Sequence, residues 1–161
     1  MREINTKGLQ IIEQFEGLSL TPYLCPANVY TIGIGTTIYP DGTKVKKDDP
    51  PITVDQAITY LKHDLRYFSE KIEIFCKKNS IYLGGNKFSA LVSFAYNVGL
   101  SPIITKGKLM HDGLVNDDPS KIKKAFLSYT KVTKINNGIA KKVELAGLVK
   151  RRKAEMELFF S

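Results

Sequence analysis

The stretch Phe15–Gly35, FEGLSLTPYLCPANVYTIGIG, decides the fold because it holds a helix end, a turn and a strand. A helical pattern leads into it from Asn5 or Thr6, and Gly17 can supply the left-handed residue that ends that helix. Glu16 then lies in the last turn, where the helix dipole disfavours a carboxylate. This position costs stability, but it suits an acid that must still carry its proton near neutral pH.

The second half of the stretch predicts a turn followed by a strand. Residues 26–28 read as a turn between Cys25 and Thr31, which brings these two side chains close together. Residues 31–35, TIGIG, alternate apolar side chains with glycines, which favours a short strand that other groups can approach closely. The carboxylate of Glu16 is expected to face Cys25 and Thr31 across a groove.

The spacing Glu-x8-Cys-x5-Thr followed by IGIG resembles the phage endolysins, the phage-type lysozymes of glycoside hydrolase family 24. The commonest pattern in that family has Asp where this chain has Cys25, although some members carry Cys. Residues 88–99, FSALVSFAYNVG, and 147–155, GLVKRRKAE, extend the resemblance over nearly the whole chain. The resemblance implies a muramidase that hydrolyses the β-1,4 bond between N-acetylmuramic acid and N-acetylglucosamine in bacterial peptidoglycan and so lyses the host cell.

The bulk composition fits this reading. The length of 161 residues suits one domain, and no apolar run approaches the ~20 residues needed to span a bilayer. A net charge of +8 favours an anionic partner, with solubility alone as the alternative explanation. Bacterial cell wall is the expected one; nucleic acid is not, since no nucleic-acid-binding motif accompanies the lysines. We expect a monomer without a cofactor. No metal is expected either, because His63 and His111 match no metal spacing.

The N-terminus, MREINTKGLQ, lacks the apolar core of a signal peptide. Many members of the family that this chain resembles carry a membrane-inserting segment at the N-terminus. The expectation for this chain is accumulation in the cytoplasm of the host bacterium, without stable membrane insertion, until a separate membrane-permeabilising protein releases it. It would then act on the cell wall in the periplasm.

The predicted fold class is α+β, mainly α, with the two-lobed lysozyme-like architecture. Helix 5–16 is expected to pack on a helical lobe at about 84–161, a strand-bearing lobe to span about 17–52, and a long helix at about 53–78 to connect them. Residues 40–43, PDGT, predict a hairpin turn, and Asn86 is the expected cap of a buried helix. Residues 130–142 predict a loop or a marginal strand pair, with the last helix starting at about Val143.

Glycoside hydrolysis needs a proton for the leaving oxygen and, in an inverting enzyme, a held water on the far side of the sugar. Glu16 is the candidate acid, and the hydroxyl of Thr31 can hold the water. Cys25 has three possible roles: a thiolate base, a neutral group that orients water, or a nucleophile. The resemblance to inverting enzymes favours the first two. The alternative function is a non-catalytic cationic protein that binds the wall or perturbs the membrane.

Other residues are expected to support this chemistry. Family resemblance suggests that an arginine of the last helix pairs with the catalytic glutamate, and Arg152 is favoured over Arg151 because it falls on the apolar face. Tyr96, Asn97 and Thr37 are the expected substrate-binding residues.

Two further positions carry expectations. Thr36 departs from the family, which often has His after this glycine-rich segment, so that a supporting imidazole is missing. Cys76 is expected to be a core residue rather than the disulfide partner of Cys25.

Overall fold

The computed structural model describes residues 2–25, 28–136 and 139–161 of the chain. Helices dominate, and the strands form two-stranded antiparallel sheets, which confirms the mainly helical α+β class. The lobe boundaries given above stay a prediction. In chain order the elements are α1 (Thr6–Glu16), β1 (Ser19–Leu24), β2 (Tyr30–Gly33), α2 (Val54–Lys78), α3 (Gly85–Val98), α4 (Ser101–Ile104), α5 (Leu109–Val115), α6 (Pro119–Ser128), β3 (Lys131–Asn136), β4 (Ile139–Glu144) and α7 (Ala146–Phe160).

Asn5 both caps α1 and attaches it to α3. Its side-chain oxygen accepts the N–H of Gly8 at 3.0 Å, while its own N–H donates to Ser89 Oγ at 2.9 Å. Its amide nitrogen donates to Asn86 Oδ1 at 2.9 Å. The prediction that Asn86 caps α3 is therefore wrong: the helix begins at Gly85, and the Asn86 side chain joins α1 to the chain end instead.

The glycine-rich segment is shorter as a strand than predicted. Strand β2 ends at Gly33 because Gly33 and Gly35 have φ values of 66° and 86°, and the chain turns there. Ile32 and Thr36 exchange two backbone hydrogen bonds of 2.9 and 3.1 Å across this turn. Strand β1 pairs antiparallel with β2, so that Tyr23 lies opposite Thr31. The segment thus folds back towards the end of α1.

Of the two turns predicted around this sheet, only the one at 40–43 lies wholly within the described residues. In the turn at 40–43, Gly42 has a φ of 87° and the N–H of Tyr39 donates to Thr43 O at 2.8 Å, as predicted. Residues 26 and 27 of the other turn lie outside the described residues. On its far side the N–H of Asn28 donates to Cys25 O at 2.8 Å.

Helix α2 is the predicted long helix, 25 residues in length. Its start is a capping box, in which Thr53 Oγ1 accepts the N–H of Gln56 and Gln56 Oε1 accepts the N–H of Thr53. Its buried stripe, with Leu61 and Leu65 at its centre, packs against β2 and α3. One face of this helix therefore packs against both the sheet and the helical core.

Helix α3 is the centre of the core, with every residue from Phe88 to Ala95 buried, and α1, α2 and α7 pack around it. Of the two alternatives predicted for residues 130–142, a loop or a strand pair, the structure has the strand pair, β3 with β4. Helix α7 starts at Ala146, later than expected, because β4 continues to Glu144 in register with Lys131. Cys76 is buried in α2 as a free thiol, and burial raises its pKa to about 11. Within the described ranges no helix has the length and apolarity to cross a membrane.

Gly8 offers a test of the contact between α1 and α3. A Cβ at this position would lie 2.7 Å from Ile4 Cγ1 and 2.8 Å from Ser89 Cβ. Gly8→Ala should lower the free energy of unfolding by about 1–3 kcal/mol, because the added methyl overpacks the contact. Chemical denaturation with urea measures this change.

The matched control is Gly147→Ala in the first turn of α7, where a Cβ meets nothing within 4 Å. Alanine there should leave stability unchanged or raise it by up to about 1 kcal/mol, since alanine favours helix. Equal effects of the two substitutions would contradict close packing at Gly8.

Candidate active site

Glu16 is the last residue of α1, and its side chain is 21% exposed. Its Oε1 accepts a hydrogen bond of 2.6 Å from Nη1 of Arg151, whose own side chain is 3% exposed. The preference for Arg152 as the partner of Glu16 is therefore wrong. Arg152 does lie on the buried face as expected, but its guanidinium points at Glu155 and over the ring of Phe94.

A buried carboxylate holds both arginines. Glu155 is fully buried, and its Oε1 accepts from Arg151 Nε at 3.1 Å, from Arg152 Nη2 at 3.0 Å and from Ser93 Oγ at 2.8 Å. Buried charges need partners of opposite sign. Two arginines and two carboxylates make this cluster neutral when Glu16 is ionised, so Glu16 completes a charge network that begins in the core.

A cleft of about 530 Å³ opens beside Glu16. It lies within the volume range of ~300–1,000 Å³ that is usual for ligand sites. Three residues predicted to bind substrate, Thr37, Tyr96 and Asn97, line it together with Glu16. Its walls come from four parts of the chain: the end of α1, the segment after β2, one face of α2 and the end of α3.

Tyr96 and Gly35 fit closely around Glu16. The Tyr96 hydroxyl donates to Ile34 O at 2.8 Å, and burial together with the charges of Asp64 and Glu16 raises the pKa of Tyr96. A Cβ on Gly35 would lie 3.0 Å from Tyr96 Oη and 3.3 Å from Glu16 Oε2. Since Gly35 also has a positive φ, a side chain at this position would be strained and would crowd the acid.

Cys25 and Thr31 lie on the hairpin next to this cleft but are not among the residues that line it. Thr31 is buried, and its hydroxyl donates to Val29 O at 3.1 Å. The same carbonyl accepts the N–H of Cys25 at 3.0 Å, and Cys25 is half-buried. Both residues therefore contact one backbone oxygen at the end of the hairpin.

Tyr23 is a residue of this hairpin that the sequence interpretation missed. It lies opposite Thr31 in the sheet. Burial raises the pKa of Tyr23, and the charges of Glu16 and Cys25 raise it further, so its phenol lies within electrostatic reach of both. Its spacing could have found it, since side chains two residues apart in an extended chain, such as Tyr23 and Cys25, point to the same side.

Helix α2 supplies a wall of the cleft that sequence reasoning also missed: His63, Asp64, Tyr67 and Phe68. Their i, i+3 and i, i+4 spacing places them on one helix face, which is the signal that could have found them. Asp64 Oδ2 accepts from Thr36 Oγ1 at 2.9 Å, and burial raises the pKa of Asp64. The sequence marks Thr36 only as a position where the supporting imidazole of the family is missing. In the structure its hydroxyl joins the segment after β2 to α2.

The part of the chain that the structure describes contains no group of three or more His, Cys, Asp or Glu residues placed to hold a metal ion.

The fold is shared with solved lysozyme-type structures. The endolysin of Escherichia coli O157:H7 phage FAHEc1 superimposes with a TM-score of 0.78 and 31% identity, over 98% of this chain and 93% of that chain. The muramidase domain of SpmX from Asticaccaulis excentricus gives a TM-score of 0.80 and 25% identity, over 100% and 99%. These similarities define the class, a lysozyme-type glycoside hydrolase.

The chain belongs to the phage lysozyme family, whose family model matches residues 13–155. The endolysin of Acyrthosiphon pisum secondary endosymbiont phage 1 is 32% identical over 158 residues, which cover 98% of each chain. Other curated relatives are longer, and the chain spans 51% of the SAR-endolysin of Haemophilus phage HP1. The family resemblance drawn from the three sequence segments is confirmed.

Glu155 offers a test of the buried charge cluster. Glu155→Gln should lower the free energy of unfolding by about 3–5 kcal/mol, because it leaves two buried guanidinium groups without their shared carboxylate. Thermal and urea unfolding measure the loss. Glu157→Gln is the control, since Glu157 is an exposed residue of the same helix and its substitution should change stability by less than ~0.5 kcal/mol. Similar results for both variants would show that the cluster contributes little.

Proposed function

We propose that this protein is an endolysin that hydrolyses the β-1,4 bond between N-acetylmuramic acid and N-acetylglucosamine in bacterial peptidoglycan, causing lysis of the host cell. The observation that carries the proposal is the placement of Glu16, partly exposed at a helix end, beside a cleft and against a buried arginine. The excess positive charge of +8 supports an anionic polymer such as the cell wall as the partner.

Glu16 is proposed as the general acid that protonates the leaving glycosidic oxygen. Oε1 is held by Arg151, while Oε2 lies close to Gly35, where the absence of a side chain leaves room. A sugar bound over the exposed part of Glu16 would exclude water from the carboxyl group and bring it against the glycosidic oxygen.

Thr31 is proposed to hold the attacking water. Its hydroxyl hydrogen is committed to Val29 O, so its oxygen remains able to accept a hydrogen bond from water. Because Thr31 is 3% exposed, the water would occupy a confined position at the same end of the hairpin. This confinement would fix the direction of attack on the sugar.

Cys25 is proposed as the second group that orients or activates this water. An ordinary thiol has a pKa of ~8.5, so at neutral pH it would orient water through a hydrogen bond, or act as base in its thiolate form. Either role gives net inversion, because water attacks the sugar directly. A nucleophilic thiol would give retention through a covalent intermediate.

Thr37, Tyr96 and Asn97 are proposed to contact the substrate. Asn97 is exposed at the end of α3, so its amide can hydrogen-bond to sugar hydroxyl or acetamido groups. The Tyr96 hydroxyl is already hydrogen-bonded to Ile34 O, so Tyr96 would contribute its ring to substrate binding.

The protein would work as a monomer in the periplasm after a separate membrane-permeabilising protein releases it from the cytoplasm.

Glu16→Gln tests the proposed function. It should lower the rate of peptidoglycan hydrolysis at least ~10²-fold, because the neutral amide cannot supply the proton. The measurement is the release of new reducing ends on muramic acid from purified peptidoglycan, with the anomeric form determined early to separate inversion from retention.

Glu13→Gln is the matched control, an exposed residue one turn earlier in α1 that should keep wild-type activity. If Glu16→Gln lyses permeabilised bacteria as well as wild type does, the chain is a non-catalytic cationic wall or membrane protein instead.

A second substitution tests the role of Cys25. Cys25→Asp should keep substantial hydrolysis, within about tenfold of wild type, because a carboxylate can orient and activate the same water. Cys25→Ala should lose more, since it can do neither. Comparison of initial rates, with circular dichroism as a check on folding, measures both. Near-total loss in a folded Cys25→Asp variant would refute a simple exchange of water-orienting groups.

A further inference from the structure

Tyr67 is an exposed aromatic residue inside the cleft. It lies on the face of α2 that forms one wall, and it is 55% exposed. Leaving a large ring in water forgoes the stabilisation that burial would give. Nothing in the proposed chemistry uses this residue. Its presence in the lining of the same cleft as Glu16 therefore needs a separate explanation.

The Tyr67 ring is held in a fixed direction. The edge of Phe68 meets it at 81° with ring centroids 5.4 Å apart, and Lys71 Nζ lies 5.6 Å from its centroid. Phe68 in turn meets Tyr96 at 82° and 5.7 Å. A ring restrained in this way loses little conformational freedom when a ligand packs on it.

The three rings form a row of ring contacts that runs from Tyr96 through Phe68 to Tyr67. Tyr96 is the near end, since its hydroxyl and Glu16 Oε2 both lie next to Gly35. Tyr67 is the far end, two ring-to-ring steps along. A glycan strand cleaved at Glu16 and lying along this row would bring another sugar, not the scissile bond, to Tyr67.

The residues that line the cleft together with Tyr67 suit a sugar ring. Pyranoses have apolar C–H faces and polar edges, so they need flat apolar surfaces beside hydrogen-bonding groups. The cleft supplies Ile38, which is 47% exposed, as a second apolar contact. His63, Thr37 and Asn97 supply polar groups in the same cleft. This mixture of apolar walls with few polar groups is typical of ligand sites.

We infer that Tyr67 is a sugar-binding residue, whose ring packs against the C–H face of an N-acetylhexosamine of the glycan strand at a position remote from the cleaved bond. The inference rests on the proposed function, because it assigns a substrate contact to the same cleft. Tyr67 then contributes to binding and not to the chemical step, so its loss should raise KM and leave kcat nearly unchanged.

The experiment measures binding without cleavage. In the Glu16→Gln background, the affinity for purified glycan strands freed of their peptide stems is determined by isothermal titration calorimetry. Adding Tyr67→Ala should weaken binding about threefold to tenfold, the size expected for one aromatic packing contact. Adding Tyr67→Phe should restore the affinity, because it keeps the ring.

Tyr82→Ala is the matched control. Tyr82 is 94% exposed and lies outside this cleft, so its substitution removes an exposed ring without changing the proposed surface. Its affinity should equal that of the Glu16→Gln parent.

Three results would overturn the inference: no binding of stem-free strands by the parent, equal affinity after Tyr67→Ala, or weakening seen only with stem-bearing fragments. The last would assign the ring to the peptide stem. Failure of the proposed function is detected separately, as the absence of new reducing ends when the wild-type protein digests peptidoglycan. The two failures are therefore distinguishable.

Discussion

The ion pair between Arg151 and Glu16 is the contact on which the rest of the site depends. It joins the last turn of α1 to α7, two elements 135 positions apart in the chain. Arg151 is in turn fixed by Glu155 and by the carbonyl of Ser93 in the central helix. Because every member except Glu16 is buried, the cost of burying these charges is offset only while the network is complete. The position of the acid is thus set by the core.

Close backbone approach is the second constraint, and it explains the glycines of the segment after β2. Gly35 leaves room between Glu16 and the Tyr96 hydroxyl, and its positive φ turns the chain back towards α2. Thr36 then reaches Asp64 on that helix. A short segment therefore connects the sheet, the long helix and the acid, so the geometry of the cleft follows from the packing of the same few backbone groups.

The cleft combines a fixed charge cluster with an aromatic wall. On the side of α1 and α7, Glu16 is positioned by charge and hydrogen bonds. On the side of α2, Tyr67 and Phe68 are positioned by ring contacts. Charge networks suit a group that must gain and lose a proton, whereas aromatic surfaces suit a neutral sugar ring. The two sides of the cleft thus fit a division between chemistry and binding within the proposed function.

The sequence by itself determined the elements and the family, because caps, glycines and apolar periodicity act locally. Asn5, Gly17 and the Thr53–Gln56 box are such local signals, and each lies at a helix end in the structure. The choice between Arg151 and Arg152 could not be made this way, since both lie on a buried face and only the position of α1 decides which one meets Glu16. The placement of Asp64 and Tyr67 in the cleft that contains Glu16 likewise depended on distant segments meeting, which only the tertiary structure fixes.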